Sequence, residues 1–118
     1  MTAATKSSGR ALPHPEFGEI RLEAVLHALS DPMRLRIVRE LALCERELAC
    51  SYFELPVTKS TTTHHFRVLR ESGVIRQCYR GTAKMSGLRR DDLDALFPGL
   101  LDGVLRAAAR QAERLDGA

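Results

Sequence analysis

Residues 58–72 read TKSTTTHHFRVLRES and concentrate side chains suited to hydrogen bonding with a negatively charged partner. At helical spacing, Thr62, Phe66 and Leu69 fall on one side, and Ser60, Thr63, Arg67 and Arg70 fall on the other. Ser60 and Thr63 are short, so a partner can approach the helix closely, and each hydroxyl can donate or accept. Arg67 offers two parallel N–H donors, the geometry that matches a guanine edge. Lys59 and the open N–H groups of the helix start suit a phosphate, and His64 suits a base or a phosphate. His65 lies about 100° further round the helix and is expected to be structural.

Charge points the same way. Residues 58–90 carry eight Lys and Arg against one acid, Glu71, so this window is strongly basic although the whole chain is only +3. Clustered cations gain by releasing the counterions of a duplex. Arg80 and Lys84, further along the window, are candidates for phosphate or the minor groove.

Other chemistries are poorly supplied. Cys44, Cys50 and Cys78 form no dense pattern and are expected to be reduced thiols. Residues 1–18 lack the apolar run of a secretory signal, and no run of about 18 apolar residues could span a bilayer. The expected location is therefore the cytoplasm, at the nucleoid. Ser60 or Cys50 with His64 or His65 would be the nucleophile and base of an enzyme. None of these pairs has a third orienting residue or an oxyanion site, so no enzyme and no cofactor is expected. A protein–protein adaptor on the same scaffold is the rival reading, but it would not need the basic front of helix 58–72.

The elements that must position these groups follow from apolar spacing. Leu22, Val25, Leu26 and Leu29 mark one helix. Asp31-Pro32 caps and opens a second, to about Cys44, with Leu35, Val38, Leu41 and Ala42 inward and Arg34, Arg36 and Arg39 outward. A short third helix is expected over 45–53. Thr58 caps the fourth and Gly73 stops it. A hairpin over 74–88 turns at Arg80-Gly81. A last helical stretch starts at Asp91-Asp92 and breaks at Phe97-Pro98-Gly99. The expected fold is mainly α with a small β-hairpin (α+β), in the order α-α-α-α-β-β-α. The length fits one domain, 19–116, behind a flexible arm, 1–18.

The segments LHALSDPMRLRIVREL (26–41) and TKSTTTHHFRVLRESGVI (58–75) resemble the ArsR/SmtB family of winged helix-turn-helix transcriptional regulators. The resemblance covers roughly residues 20–105. It implies a homodimer built on the first and last helices, presenting two recognition helices to a palindromic double-stranded DNA operator as a repressor. Carried over by position, the DNA-contacting set is Lys59, Ser60, Thr63, His64 and Arg67 on the helix, with Arg80 and Lys84 on the wing. Many relatives sense metals. One of their sites uses Cys-x-Cys before the recognition helix, but here Cys44 and Cys50 stand six apart. Another uses Asp and His on the final helix, and no His follows Asp91. No metal site is expected. Cys44 and Cys50 remain candidates for a redox role, a thiol- or metal-responsive sensor using them is the further alternative, and the effector is left open.

Overall fold

The computed structural model describes residues 10–116. The chain forms two compact units, one ending at Leu88 and one beginning at Arg89. The first contains strand β1 (Arg10–Ala11), helices α1 (Leu22–Leu29) and α2 (Pro32–Cys44), strand β2 (Leu48–Ala49), helix α3 (Lys59–Glu71), and strands β3 (Ile75–Arg80) and β4 (Ala83–Leu88). The second contains helices α4 (Arg90–Leu96) and α5 (Leu100–Asp116). The expected α+β class with a winged helix holds. Residues 1–9 of the expected arm lie outside the described residues, and from Arg10 the chain pairs with the sheet.

Helix α2 and helix α3 each have a local reason to start and stop. Asp31 caps α2, its Oδ1 accepting from the N–H groups of Met33 (2.8 Å) and Arg34 (3.2 Å), and Pro32 occupies the first turn, where its missing donor costs nothing. Thr58 caps α3 by accepting from Thr61 N–H. At the other end of α3, Gly73 N–H donates to Arg70 C=O and Val74 N–H to Leu69 C=O, which closes a Schellman motif. Gly73 takes φ +89, and a Cβ there would stand 2.6 Å from Ile20 Cγ1, so both conformation and space require glycine.

Helices α1, α2 and α3 pack on one another and α3 packs on β3. Val25, Ala28, Ile37, Val38, Leu41, Phe66, Leu69, Val74 and Ile75 are buried. The sheet is antiparallel in the order β1-β3-β4-β2. β3 and β4 form the wing, joined by the two-residue loop Gly81-Thr82 between Arg80 and Ala83. Gly81 has φ +63, as the first position of a hairpin turn of this length demands. The turn thus lies one residue later than the sequence suggested. In the second unit, Asp91 and Asp92 occupy the first turn of α4, and Gly99 (φ +81) separates α4 from α5, as the Phe97-Pro98-Gly99 break suggested.

Three expectations are corrected. The third helix over 45–53 is a two-residue strand followed by a 3-10 turn (Cys50–Tyr52), because Leu48 and Ala49 pair with Ser86 and Met85 of β4. Glu45, in the left-handed region at φ 55, ends α2 and turns the chain toward the sheet. Arg34 is buried rather than outward. It lies four residues before Val38 and seven before Leu41, which puts it on their face of α2. Its Nε donates to Ala28 C=O (2.8 Å) and a terminal nitrogen donates to His27 C=O (3.3 Å), so the guanidinium ties α2 to the carbonyl end of α1. Arg70 is likewise buried, for a reason given below.

Candidate nucleic-acid interface

Lys59, Ser60, Thr63, His64 and Arg67 are all exposed, while His65, Phe66, Leu69 and Arg70 are buried. Positions 60, 63, 64 and 67 recur at helical spacing, so these four share one solvent face of α3, and Lys59 is exposed at the helix start. Among the described residues, none of Lys59, His64 and Arg67 is ion-paired within 4.0 Å. Ser60 Oγ lies 3.2 Å from Thr58 Oγ1, tied to the cap rather than to His64. Arg70 was grouped with this front but belongs to the back. It stands four residues after Phe66, about 40° round the helix from a core position.

The back of α3 is held by two polar clusters. In the first, an Arg34 terminal nitrogen lies 3.2 Å from His65 Nδ1. Arginine has no lone pair to offer, so His65 accepts and its ring proton sits on Nε2, 3.8 Å from Asp31 Oδ1. Burial raises the Asp31 carboxyl, but the backbone donors of Arg34 and Met33, with His65 and the Arg34 charge, outweigh it and hold the group below the ordinary aspartate range. His65 is thus a structural link between α3 and the start of α2.

The second cluster joins α3 to the wing. Arg70 donates to Gln77 Oε1 (2.8 Å), and Gln77 Nε2 donates to Ser86 Oγ (2.9 Å) and toward Cys50 Sγ (3.6 Å). The Gln77 backbone N–H donates to His14 Nε2. Sequence reading missed Gln77, which is fully buried in β3 between exposed Arg76 and half-buried Cys78. The only signal was a polar residue at an inward strand position.

Strand alternation places the two wing cations. Tyr79 pairs with Lys84 and Arg80 with Ala83, so Lys84 shares the Gln77 face, toward α3, and Arg80 projects from the opposite face. Lys84 Nζ stands 5.7 Å from the centre of the Tyr79 ring. Arg80 is bound to Glu47 at 2.8 Å. The basic window is therefore less open than its composition suggests. Arg89 pairs with Asp92, and Arg90 pairs with Asp94 and Asp102.

The three cysteines are unbridged. Burial pushes the Cys50 thiol up, against smaller opposing effects from Ser86, Lys84 and Gln77. Among the described residues no three His, Cys, Asp or Glu side chains gather as a metal site would require. No helix among them is long and apolar enough to cross a membrane.

A capped helix with one polar face, backed by two more helices and flanked by a β-hairpin, defines the winged helix-turn-helix class. No protein-family model matches the chain. It is 34% identical over 80 residues to the uncharacterised HTH-type transcriptional regulator YceK of Bacillus subtilis, a match spanning 66% of this chain and 80% of that protein. The chain belongs to the HTH-type transcriptional regulators. Its fold is similar to the crystal structure of an ArsR family transcriptional regulator, with a TM-score of 0.57, 18% identity, and coverage of 82% of this chain and 97% of that one. The winged-helix fold implied by the ArsR resemblance is thus present.

Proposed function

We propose that the protein binds double-stranded DNA in a sequence-specific manner, as a homodimeric repressor on a palindromic operator. Helix 58–72 enters the major groove and wing 74–88 lies along the backbone. The observation that carries this reading is the solvent face of α3, where Ser60, Thr63, His64 and Arg67 stand together, with Lys59 exposed at the helix start and no carboxylate paired to Lys59 or Arg67 among the described residues. Lys59 meets a phosphate at the helix start, Ser60 and Thr63 touch base edges, His64 takes a base or a phosphate, and Arg67 reads a guanine. Lys84, on the same side of the wing as α3, meets a flanking phosphate.

Dimerisation is supported by the apolar surface of α1. Leu22 and Leu26, one helical turn apart, are 42% and 45% exposed, and Phe17 just before them is 47% exposed. A patch of this kind on so small a chain suits a second copy. A twofold dimer presents two recognition helices to two half-sites about one helical turn of DNA apart.

Selection from a random duplex pool, followed by anisotropy titration at two salt concentrations, tests the reading. Enrichment of a palindrome supports it. Arg67→Ala is expected to cost about 1–3 kcal/mol at one base position and to relax preference there. Equal binding of wild type and variant to selected and scrambled duplexes would remove Arg67 from the recognition set. No binding at low salt would favour a protein–protein adaptor.

A further inference from the structure

We infer that Glu47 competes with the DNA backbone for Arg80, so that one wing cation is held in reserve until a phosphate displaces the carboxylate; the inference rests on the DNA-binding reading above. Arg80 ends β3 on the face of the wing turned away from Gln77 and α3. Its guanidinium is 2.8 Å from Glu47 Oε1, with the two side chains 51% and 32% exposed. Glu47 immediately precedes β2, and the register of β2 on β4 brings it beside Gly87. A Cβ at Gly87 would stand 3.1 Å from Glu47 Cγ. The missing side chain at Gly87 thus lets Glu47 lie across the wing and reach Arg80.

The pair is poised to exchange. Partly solvated ion pairs contribute little, and a phosphate offers arginine a two-pronged, charge-assisted contact that a single carboxylate oxygen does not. Lys84, on the other wing face, has no carboxylate within ion-pairing distance among the described residues, so it needs no such release. The two wing cations therefore differ in kind. Lys84 is available to any duplex, whereas Arg80 is available only where a phosphate arrives close enough to replace Glu47. That condition penalises loosely seated, nonspecific complexes.

The test is a double-mutant cycle on the full chain. Wild type, Glu47→Gln, Arg80→Ala and the double variant are titrated by anisotropy against the selected duplex and a scrambled one at physiological ionic strength. Glutamine keeps the shape against Gly87 and removes the charge. Glu47→Gln is expected to bind about two- to fivefold tighter, with the larger gain on the scrambled duplex. The gain should vanish when Arg80 is alanine. A gain that survives in the Arg80→Ala background would overturn the inference, since the carboxylate would then only repel the duplex. Unchanged or weaker binding by Glu47→Gln would overturn it too, making Glu47 a brace rather than a competitor. In both cases, wild-type binding that falls in Arg67→Ala leaves the DNA reading standing. If no variant binds either duplex even at low salt, that reading fails and this inference fails with it.

Discussion

At residue scale, the Asp31 carboxylate joins two tasks, capping α2 and facing the His65 ring. Its folded-state pKa lies below the ordinary value. A depressed carboxylate contributes stability above its unfolded pKa, about 3.9, and loses that contribution as pH falls through the folded value. Asparagine caps almost as well but does not titrate. Urea denaturation should therefore show Asp31→Asn less stable than wild type at pH 7, and the gap should shrink by pH 3. A gap that stays constant would mean the charge contributes nothing. Cys50 illustrates the opposite shift. Its raised pKa keeps the thiolate scarce near neutrality, which slows attack on oxidants. The Arg70–Gln77 bond keeps a buried cation hydrogen-bonded where no carboxylate stands within ion-pairing distance among the described residues.

At the scale of elements, the ends of α3 were legible because their causes are local. A Thr cap and a Gly stop each act through backbone groups a few residues away, and both occur where the sequence placed them. The exposed face of α3 was legible for the same reason, since periodicity alone separates residues 60, 63, 64 and 67 from Phe66 and Leu69. Glu45 to Phe53 was not legible. Its strand exists only because β4, 38 residues later in the pairing of Leu48 with Ser86, supplies a partner. Arg34 and Arg70 misled because arginine is ordinarily solvated, yet here each finds buried acceptors on another element. Periodicity did contain the correction, as both lie four residues from core positions. The Gly73 stop yields a test at this scale. Gly73→Ala must adopt positive φ and displace Ile20, so a loss of about 1–3 kcal/mol is expected in urea melts. An unchanged midpoint would mean the junction relaxes freely.

At the scale of the whole molecule, the proposed dimer ties stability to concentration. If Leu22 and Leu26 are covered by a second copy, Tm should rise with protein concentration. Leu26→Lys should shift sedimentation toward a monomer while far-UV circular dichroism is retained. A wild type that sediments as a monomer at micromolar concentration would overturn the dimer. The two fixed ends of α3 also bear on engineering. Between the Thr58 cap and the Gly73 stop, the side chains that lock the helix in place (His65, Phe66, Leu69 and Arg70) are distinct from those that face outward. Under the proposed DNA-binding function, the helix would be an exchangeable reading head. On that proposal, randomising positions 60, 63, 64 and 67 as a library should retarget the protein to new sequences, while the scaffold that holds them is left untouched.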